Sequence, residues 1–350
     1  MESALNSSFI LYEEIHSTFF IKLNRPESLN SFNMEMLNIL HSLSRRAKLE
    51  NKNILWYGEG RALSAGGDIV IMTKGEVDVE EIFESESKLW YSFSQIPTIR
   101  IAIMDGITFG GGAGLAWSCS IRVATPKTLW SMPECSIGYC PDVGASHFLS
   151  RVNPSELGLY LSLAAERLNG IDCYLFGFAE YYIEKDKKEI IREMQSAGNL
   201  IEILEKYHID PDRNKSKILP VLKELRYCFD VHLNLEIIIY RLKLVGSDWS
   251  LKTLKRISEL CPLSLRIAKE AFRRGIHMSY RESLIMEYNL AAQLIKHQPT
   301  NFNSAVNNKL ITKNQKKIEW NPDSIISIGD TTIMPYFINS NGRKLQLPRL

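Results

Sequence analysis

The sequence has no long apolar run. None approaches the ~18–20 residues that a helix needs to cross a bilayer. It also lacks a charge excess, since 42 basic and 40 acidic side chains leave a net charge of +2. A balanced chain gives no general argument for nucleic acid or an anionic membrane as a partner. We therefore expect no membrane association.

The cysteines are too scattered for a zinc site. No C-x-x-C pair occurs, and no histidines stand nearby at metal-binding spacing. We expect reduced, mostly buried thiols and no bound metal. The six residues are Cys119, Cys135, Cys140, Cys173, Cys228 and Cys261.

The termini carry no clear targeting signal. The first residues, MESALNSSFILYEE, lack an Arg-rich amphipathic pattern and the apolar core of a signal peptide. An organellar presequence is therefore absent, atypical or already removed. The last four residues, LPRL, resemble the S-K-L peroxisomal address only faintly. Internal repeats and low-complexity tracts are also absent.

The first half of the chain alternates short apolar strands with helical segments. Residues 33–48 place Met36, Leu37, Leu40 and Leu43 on one helical face. This β-β-α rhythm implies an α/β core in residues 1–185. Strands are predicted at 17–24, 53–58, 98–106, 121–126 and 128–134.

The second half is poor in glycine and rich in amphipathic helical patterns. We expect a helical region over 186–322 and an irregular tail over 323–350, with polar, irregular sequence already from Gln298. The tail lysines fit a solvated surface better than a phosphate or RNA contact. They are Lys313, Lys316 and Lys317. Helices are predicted at 187–206, 216–228, 234–244, 250–259, 264–274 and 280–297.

Three consecutive glycines, Gly110, Gly111 and Gly112, follow a predicted buried strand and open the apolar run AGLAW, which can form a helix. Such a turn leaves backbone N–H groups pointing outward at the positive end of a helix dipole. It suits a phosphate, a carboxylate or a developing oxyanion, or else a tight helix-packing corner. The spacing is not G-x-G-x-x-G and no G-K-[ST] follows, which argues against dinucleotide and P-loop sites.

A second turn of small residues, LSAGGDI, follows another predicted strand at 63–69. Two such turns at the ends of neighbouring strands could each direct one N–H at the same oxygen. That is the geometry of an oxyanion hole.

Two acids lie on the loop MPECSIGYCPDVG, residues 132–144. Glu134 follows Pro133, and Asp142 follows Pro141. Prolines at both positions favour a rigid, non-helical loop. Capping or turn formation is the alternative role for these carboxylates, above all for Asp142. Together with the two glycine turns, the pair favours a functional site.

These motifs resemble the crotonase (enoyl-CoA hydratase/isomerase) superfamily, and most of all its 3-hydroxyisobutyryl-CoA hydrolase branch. The resemblance runs from about residue 10 to about 322. It implies a spiral of ββα units followed by an α-helical C-terminal region. The matching pieces are LNRPESLNSF, ALSAGGDI, MDGITFGGGAGL, RVATPKTLWSMPECSIGYCPDVG, YLSLAAERLNG, CPLSLRIAKEAF and IMEYNLA.

The resemblance also implies roles for single residues. The backbone amides of Ala65 and Gly111 would form the oxyanion hole for a coenzyme A thioester. Glu134 would be the catalytic glutamate, and Asp142 would lie near the substrate hydroxyl. Gly114 stands where true hydratases carry a second glutamate, which argues against hydration. The implied substrate-binding residues are Glu86, Gly66, Asp68 and Gly110.

The implied reaction is hydrolysis of a 3-hydroxyacyl-CoA thioester, with 3-hydroxyisobutyryl-CoA of valine breakdown as the expected substrate. Glu134 either attacks the thioester carbon or activates water as a general base. No cofactor is needed, since coenzyme A is part of the substrate. The branch implies a mitochondrial location ahead of a peroxisomal one, and a homo-oligomer or a monomer.

Several positions depart from the branch pattern. Ala145 and Ser146 replace glycines, and Ile96 replaces a basic residue before Pro97. Near the end, the branch's glutamate, glycine and arginine are replaced by Ser304, Ala305 and Asn307. The altered C-terminal run and the basic tail support an alternative hypothesis, in which the chain is a structural subunit of the mitochondrial ribosome that contacts protein and rRNA. For His147 we expect a structural role, because nothing pairs it with a nucleophile.

Overall fold

The computed structural model describes residues 7–75, 77–297, 299–314, 316–338 and 344–348. Contacts divide the chain into two units, each built from three stretches of sequence. The first unit comprises Met1–Gly67, Lys88–Ser131 and Arg167–Leu219. The second unit comprises Asp68–Ser87, Met132–Glu166 and Pro220–Leu350. The predicted boundaries at residues 185 and 322 do not coincide with this division, because stretches of the two units alternate along the chain.

The first unit contains two sheets with mainly parallel strands. The six-stranded sheet has the order β1-β2-β3-β5-β7-β10, and only β1 and β2 pair antiparallel. Its strands are β1 Ile10–Ile15, β2 Thr18–Leu23, β3 Asn53–Gly58, β5 Arg100–Met104, β7 Ile121–Ala124 and β10 Tyr181–Tyr182. The second sheet has the order β4-β6-β8-β9. Its strands are β4 Ala62–Ser64, β6 Ile107–Phe109, β8 Leu129–Ser131 and β9 Leu168–Asn169.

Helices cover the larger sheet. Phe20, Leu55 and Ile103 on its strands share one buried cluster with Ile190 and Leu204, which lie on two helices. This burial explains why the strands read as nearly continuous apolar runs. The helices of this unit are α1 Met34–Leu49, α4 Gly111–Trp117, α7 Gly170–Leu175, α8 Lys187–Ala197 and α9 Leu200–Tyr207, with the end of α3 Val79–Ser94.

The second unit is mainly helical. Side chains that accept from backbone N–H groups begin several of its helices, as Asn234 and Ser247 do. Pro262 occupies the first turn of another, where its missing N–H costs nothing. The unit holds α2 Ile69–Met72, the start of α3, α5 Ala145–Leu149, α6 Ser155–Ala164, α10 Leu222–Cys228, α11 Leu235–Val245, α12 Asp248–Glu259, α13 Pro262–Gly275, α14 Tyr280–His297, α15 Pro299–Val306 and α16 Asp330–Phe337.

Most predicted elements are confirmed, and two predictions are wrong. The helix expected over 187–206 is two helices, because Gly198 takes a left-handed conformation and ends α8. The irregular sequence expected from 298 contains α15 and α16. Asn301 accepts from the Asn321 N–H at 2.9 Å and donates to its carbonyl at 2.7 Å, and both Asn301 and Phe302 are buried.

Several bulk predictions can be compared with the described residues. All six cysteines are buried and free, as predicted. His147 has its Nδ1 atom 3.0 Å from the Met278 carbonyl oxygen, a contact that suits a structural role. The tail lysines are exposed. Among the described residues, no helix combines the length and apolar character of a membrane span. Residues 1–6, 298, 349 and 350 lie outside the described residues, so the predictions about the termini stay predictions.

Candidate active site

The two glycine turns of the first unit contact each other. Gly66 follows β4 with a φ of +94°, and a Cβ atom there would stand 2.8 Å from the Gly111 nitrogen. A Cβ at Gly112 would stand 2.2 Å from the carbonyl oxygen of Ser64. Any side chain at these positions would separate the turns. The glycines therefore allow two backbone segments to approach closely, as the sequence predicts.

The structure gives one predicted oxyanion donor, the Ala65 amide, a different acceptor. The Ala65 N–H donates to the Leu29 carbonyl oxygen at 2.9 Å, so its hydrogen already has an acceptor. The Gly66 N–H donates to Ser64 Oγ at 3.1 Å. The next amide, that of Gly67, has no acceptor within the described part of the chain. Sequence spacing could not separate these neighbours, because the choice depends on the tertiary contact with Leu29.

Gly111 keeps a donor available. It is the first residue of α4, where the first N–H groups have no acceptor within the helix. Gly110 precedes it with a φ of +50° and donates its own N–H to the Ser131 carbonyl oxygen at 3.2 Å. Among the residues described, none accepts from the Gly111 N–H. The amides of Gly67 and Gly111 can therefore each donate a hydrogen bond to an oxygen of a ligand.

Asp68 begins α2 in the second unit. Its Oδ1 atom accepts from the Ile71 N–H at 3.3 Å, which is an ordinary helix cap. The predicted contact of Asp68 with substrate stays a prediction.

Glu134 is a buried acid of the second unit with an unpartnered oxygen among the described residues. It starts the short 3-10 turn Glu134–Ile137, is 5% exposed, and its buried Oε2 atom has no hydrogen-bond partner among the described residues. Burial raises its pKa well above the usual range, and the charges of Asp142 and Glu287 raise it further. A buried polar atom without a partner is rare and costs free energy, so it points to a function.

Asp142 has a partner that Glu134 lacks. Tyr139 donates its hydroxyl hydrogen to Asp142 Oδ2 at 2.8 Å, and the ring of Tyr139 stacks on Phe83 with centroids 5.4 Å apart. Burial raises the pKa of Asp142 to about 6, and the Tyr139 hydrogen bond works against that rise. Asp142 is therefore the acid of this group that ionises most readily.

Glu86 lies on the part of α3 that belongs to the second unit. It is 3% exposed, and its Oε1 atom is buried without a hydrogen-bond partner among the described residues. Burial raises its pKa to about 8, with a further contribution from the charge of Asp142. The structure therefore brings Glu86 into the electrostatic environment of Asp142. Its contact with substrate, which the resemblance implies, stays a prediction.

Sequence reasoning missed a fourth acid, Glu287 on α14. It is 1% exposed, and burial raises its pKa to about 8 although Ser146 and Gly144 donate hydrogen bonds to it. The signal was available in IMEYNLA. Glu287 falls on the buried helical stripe of Leu284 and Leu290, where an apolar residue is the normal choice.

The four carboxyl groups can divide acid and base roles. They are Glu86, Glu134, Asp142 and Glu287. Like charges in one buried region push proton affinities apart, so Asp142 loses its proton at a lower pH than its neighbours. In the described residues no group of three or more His, Cys, Asp or Glu side chains is arranged to hold a metal ion.

Comparisons with known proteins place the chain among acyl-CoA enzymes of one family. A model of the family described as Enoyl-CoA hydratase/isomerase matches residues 18–337. A protein of Xenopus tropicalis named "3-hydroxyisobutyryl-CoA hydrolase, mitochondrial" is 33% identical over 93% of this chain and 88% of its own length. The Homo sapiens protein of that name is 31% identical over 94% of this chain and 88% of its own length.

A solved structure confirms the predicted fold. The crystal structure of a carnitinyl-CoA dehydratase from Mycobacterium thermoresistibile aligns with a TM-score of 0.89, covering 97% of this chain and 99% of that chain. Its sequence is 24% identical, so the likeness concerns the fold alone. The α/β fold with a helical C-terminal region is therefore confirmed.

Proposed function

The chain belongs to the enoyl-CoA hydratase/isomerase family, and from that premise we propose that it is an acyl-CoA thioester hydrolase acting on a 3-hydroxyacyl-CoA. The relatives named 3-hydroxyisobutyryl-CoA hydrolase make 3-hydroxyisobutyryl-CoA the first substrate to test. The observation that carries the proposal is the pairing of Glu134, whose buried Oε2 lacks a partner among the described residues, with the more acidic Asp142.

The backbone amides of Gly111 and Gly67 are proposed to bind the thioester oxygen. As a nucleophile attacks the carbonyl carbon, negative charge develops on this oxygen. Two fixed N–H donors stabilise that charge more than the ground state, and losing one such donor typically costs ~10²–10³ in rate. Gly67 replaces Ala65 in this role, because the Ala65 N–H is already bonded to Leu29.

Glu134 has two proposed roles that both use its carboxylate. As a nucleophile, one of its oxygens bonds to the thioester carbon, the carbon–sulfur bond breaks, and the thiolate of coenzyme A leaves and takes a proton. Water then hydrolyses the resulting anhydride. As a general base, Glu134 instead removes a proton from the attacking water.

Asp142 is proposed to orient the 3-hydroxyl group of the substrate or the attacking water. Burial raises its pKa only to about 6, so its carboxylate is charged near neutral pH and can accept a hydrogen bond from either. Gly114 supports hydrolysis over hydration, because it supplies no second glutamate to hold a water at a double bond.

The proposed setting is the mitochondrion, as the names of the relatives indicate. A structural role in the mitochondrial ribosome gains no support from these relatives, which are named as enzymes. Whether the protein forms a homo-oligomer stays a prediction.

A substrate panel tests the proposal. Purified protein is incubated with 3-hydroxyisobutyryl-CoA, isobutyryl-CoA and acetyl-CoA, and release of the free thiol is followed. We expect the highest kcat/KM for the hydroxylated substrate and a loss of that preference in Asp142→Asn. Absence of thiol release from all three substrates would contradict the proposal.

A labelling experiment separates the two roles of Glu134. The enzyme turns over repeatedly in water labelled with heavy oxygen, and the peptide that contains Glu134 is weighed by mass spectrometry. Label in the Glu134 side chain indicates a nucleophile, because water that attacks the Glu134 carbonyl carbon of the anhydride leaves a solvent oxygen in that carboxyl group. Label in the acid product alone excludes this route.

A further inference from the structure

Glu287 makes an unusual set of hydrogen bonds for a buried side chain on α14. Its Oε2 atom accepts from the Gly144 N–H at 2.5 Å. Its Oε1 atom accepts from the Ser146 N–H at 2.7 Å and from the Ser146 hydroxyl at 2.5 Å. One carboxyl group thus binds the residues on both sides of Ala145, which lies three positions after Asp142 in the sequence.

The segment that Glu287 holds is a strained turn. The Ala145 N–H donates to the Asp142 carbonyl oxygen at 2.8 Å, which closes a four-residue turn. Its central residues, Val143 and Gly144, have φ values of +54° and +90°. Turns with two positive φ values favour Asn and Gly, and a β-branched residue at such a φ is an outlier. Strain of this kind persists only where the surroundings hold it, and it clusters at functional sites.

Neighbouring helices leave this turn little room. A Cβ atom at Gly144 would stand 2.1 Å from the ring of Tyr280 at the start of α14. A Cβ atom at Gly275, the last residue of α13, would stand 2.2 Å from the Ser146 carbonyl oxygen. Packing fixes the outline of the turn, while the Glu287 carboxyl group satisfies its N–H groups.

We propose that Glu287 is a positioning residue, whose carboxyl group holds the turn from Asp142 to Ser146 and so fixes the place of the Asp142 side chain. This role rests on the proposed hydrolysis. It also explains why Ser146 is tolerated where relatives are expected to carry glycine, since its hydroxyl adds a third hydrogen bond to Glu287. A glutamine at position 287 offers one acceptor oxygen in place of two, so it cannot bind both N–H groups with separate oxygens.

Amide hydrogen exchange tests whether Glu287 holds this turn, and the measurement does not require an active enzyme. In Glu287→Gln, we expect amides from Val143 to Ser146 to exchange at least ~10-fold faster than in the wild type, because the local opening becomes easier. Ser146→Ala keeps Glu287 and removes one donor, so it should change exchange in the same direction by less. Unchanged exchange in Glu287→Gln would overturn the proposal whatever the protein catalyses. If Glu287→Gln does not fold, unchanged exchange in Ser146→Ala overturns it instead.

A double-mutant cycle tests whether Glu287 acts through Asp142. For an acyl-CoA substrate that the wild type hydrolyses, Glu287→Gln should lower kcat by ~10–100-fold and change KM by less than ~3-fold. In the Asp142→Asn background the same change should lower kcat by less than ~2-fold, because the positioned group is already gone. Equal losses in both backgrounds would contradict positioning, as would faster exchange with an unchanged kcat.

Asp172 provides a matched control in the first unit. It is also a buried carboxyl group that accepts from a serine hydroxyl, that of Ser216, and from a neighbouring N–H, that of Lys217. Asp172→Asn should loosen its own loop and leave kcat within ~2-fold of the wild type. An equal kcat loss in this control would show that any buried-acid substitution impairs the enzyme, and would overturn the specific role of Glu287. If the wild type hydrolyses none of the thioesters, the proposed hydrolysis is refuted. Hydrogen exchange still shows whether Glu287 holds the turn from Asp142 to Ser146.

Discussion

The Tyr139 hydroxyl donates a hydrogen bond to Asp142 Oδ2 at 2.8 Å, and both side chains are buried. Burial raises the pKa of Asp142 to about 6, and this hydrogen bond and a backbone hydrogen bond both work against the rise. The hydrogen bond favours the charged carboxylate. Tyr139 therefore helps Asp142 to remain ionised beside three other buried acids.

Replacing Tyr139 with phenylalanine should raise the pKa of Asp142. A hydrogen bond to a charged group contributes ~1.5–3 kcal/mol, and one pH unit corresponds to ~1.4 kcal/mol. We expect the midpoint to rise by about one pH unit or more, measured as the pH titration of the Asp142 carboxyl carbon by NMR. Asp142→Asn identifies the signal.

Tyr160 supplies the control for this measurement. Its hydroxyl donates to Glu166 Oε2 at 2.8 Å, so the second unit contains another tyrosine–carboxylate pair. Tyr160→Phe should leave the Asp142 midpoint in place. A midpoint that stays unchanged in Tyr139→Phe, or falls, would show that the hydrogen bond does not hold Asp142 in its charged form.

Gly66→Ala should impair catalysis through the backbone of Gly111. The added Cβ would stand 2.8 Å from the Gly111 nitrogen, and Gly66 has a φ of +94°. One of the two turns must therefore move. We expect a loss of ~1–3 kcal/mol in the free energy of unfolding and a fall of ~10-fold or more in kcat/KM.

Gly177→Ala is the control that distinguishes the effect of the steric clash from the effect of the positive φ. It has a φ of +78°, but a Cβ atom there would meet nothing within 4 Å. Gly177→Ala should cost ~1–2 kcal/mol of stability and leave kcat/KM unchanged. If both variants lose activity equally, the contact between the turns has no role in catalysis.

Glu86→Gln should stabilise the protein, and more so at higher pH. The folded-state pKa of Glu86 is raised to about 8 from 4.5. Between these pH values the unfolded chain releases a proton that the folded protein keeps, so Glu86 lowers stability as the pH rises. The amide does not titrate, and the gain should grow by about 2 kcal/mol or more from pH 5 to pH 8 in urea unfolding.

Glu270 in the same unit is a control whose pKa shift, and therefore whose effect on the pH dependence of stability, has the opposite sign. Hydrogen bonds from Arg273 and Arg274 at 2.7 Å outweigh burial and lower its pKa. The folded protein therefore gains from this carboxylate above the ordinary pKa of glutamate and loses the gain as the pH falls. Glu270→Gln should destabilise most near neutral pH. A Glu86→Gln gain that shrinks with rising pH would contradict the burial of an uncharged Glu86.

Most helices and strands could be predicted because the apolar pattern of each segment matches the face that it buries. The strand at 53–58 and the helix at 280–297 match the structure to the residue, since apolar period and capping give the same answer there. The helix after the glycine triplet was likewise apparent from AGLAW. The split at Gly198 and the helix at Pro299–Val306 were missed, because left-handed caps and long-range contacts override composition.

Two acids of the candidate site could be predicted from the sequence, whereas the choice of backbone amides could not. Glu134 and Asp142 stand out because proline-flanked carboxylates interrupt an apolar loop. Choosing between Ala65 and Gly67 requires knowing that Leu29 accepts from one of them. Glu287 contacts Gly144 and Ser146 across more than 140 positions of sequence, and no local pattern encodes that pairing.

The proposed hydrolysis depends most on Glu134, whose Oε2 atom has no hydrogen-bond partner among the described residues. The most direct measurement is the kcat/KM of Glu134→Gln on 3-hydroxyisobutyryl-CoA, with urea unfolding at the same pH to confirm a stable fold. Gln keeps the shape and removes the carboxylate, so we expect kcat/KM to fall by ~10³-fold or more with no loss of stability. A folded Glu134→Gln variant that hydrolyses the thioester within ~3-fold of the wild-type rate would contradict the account.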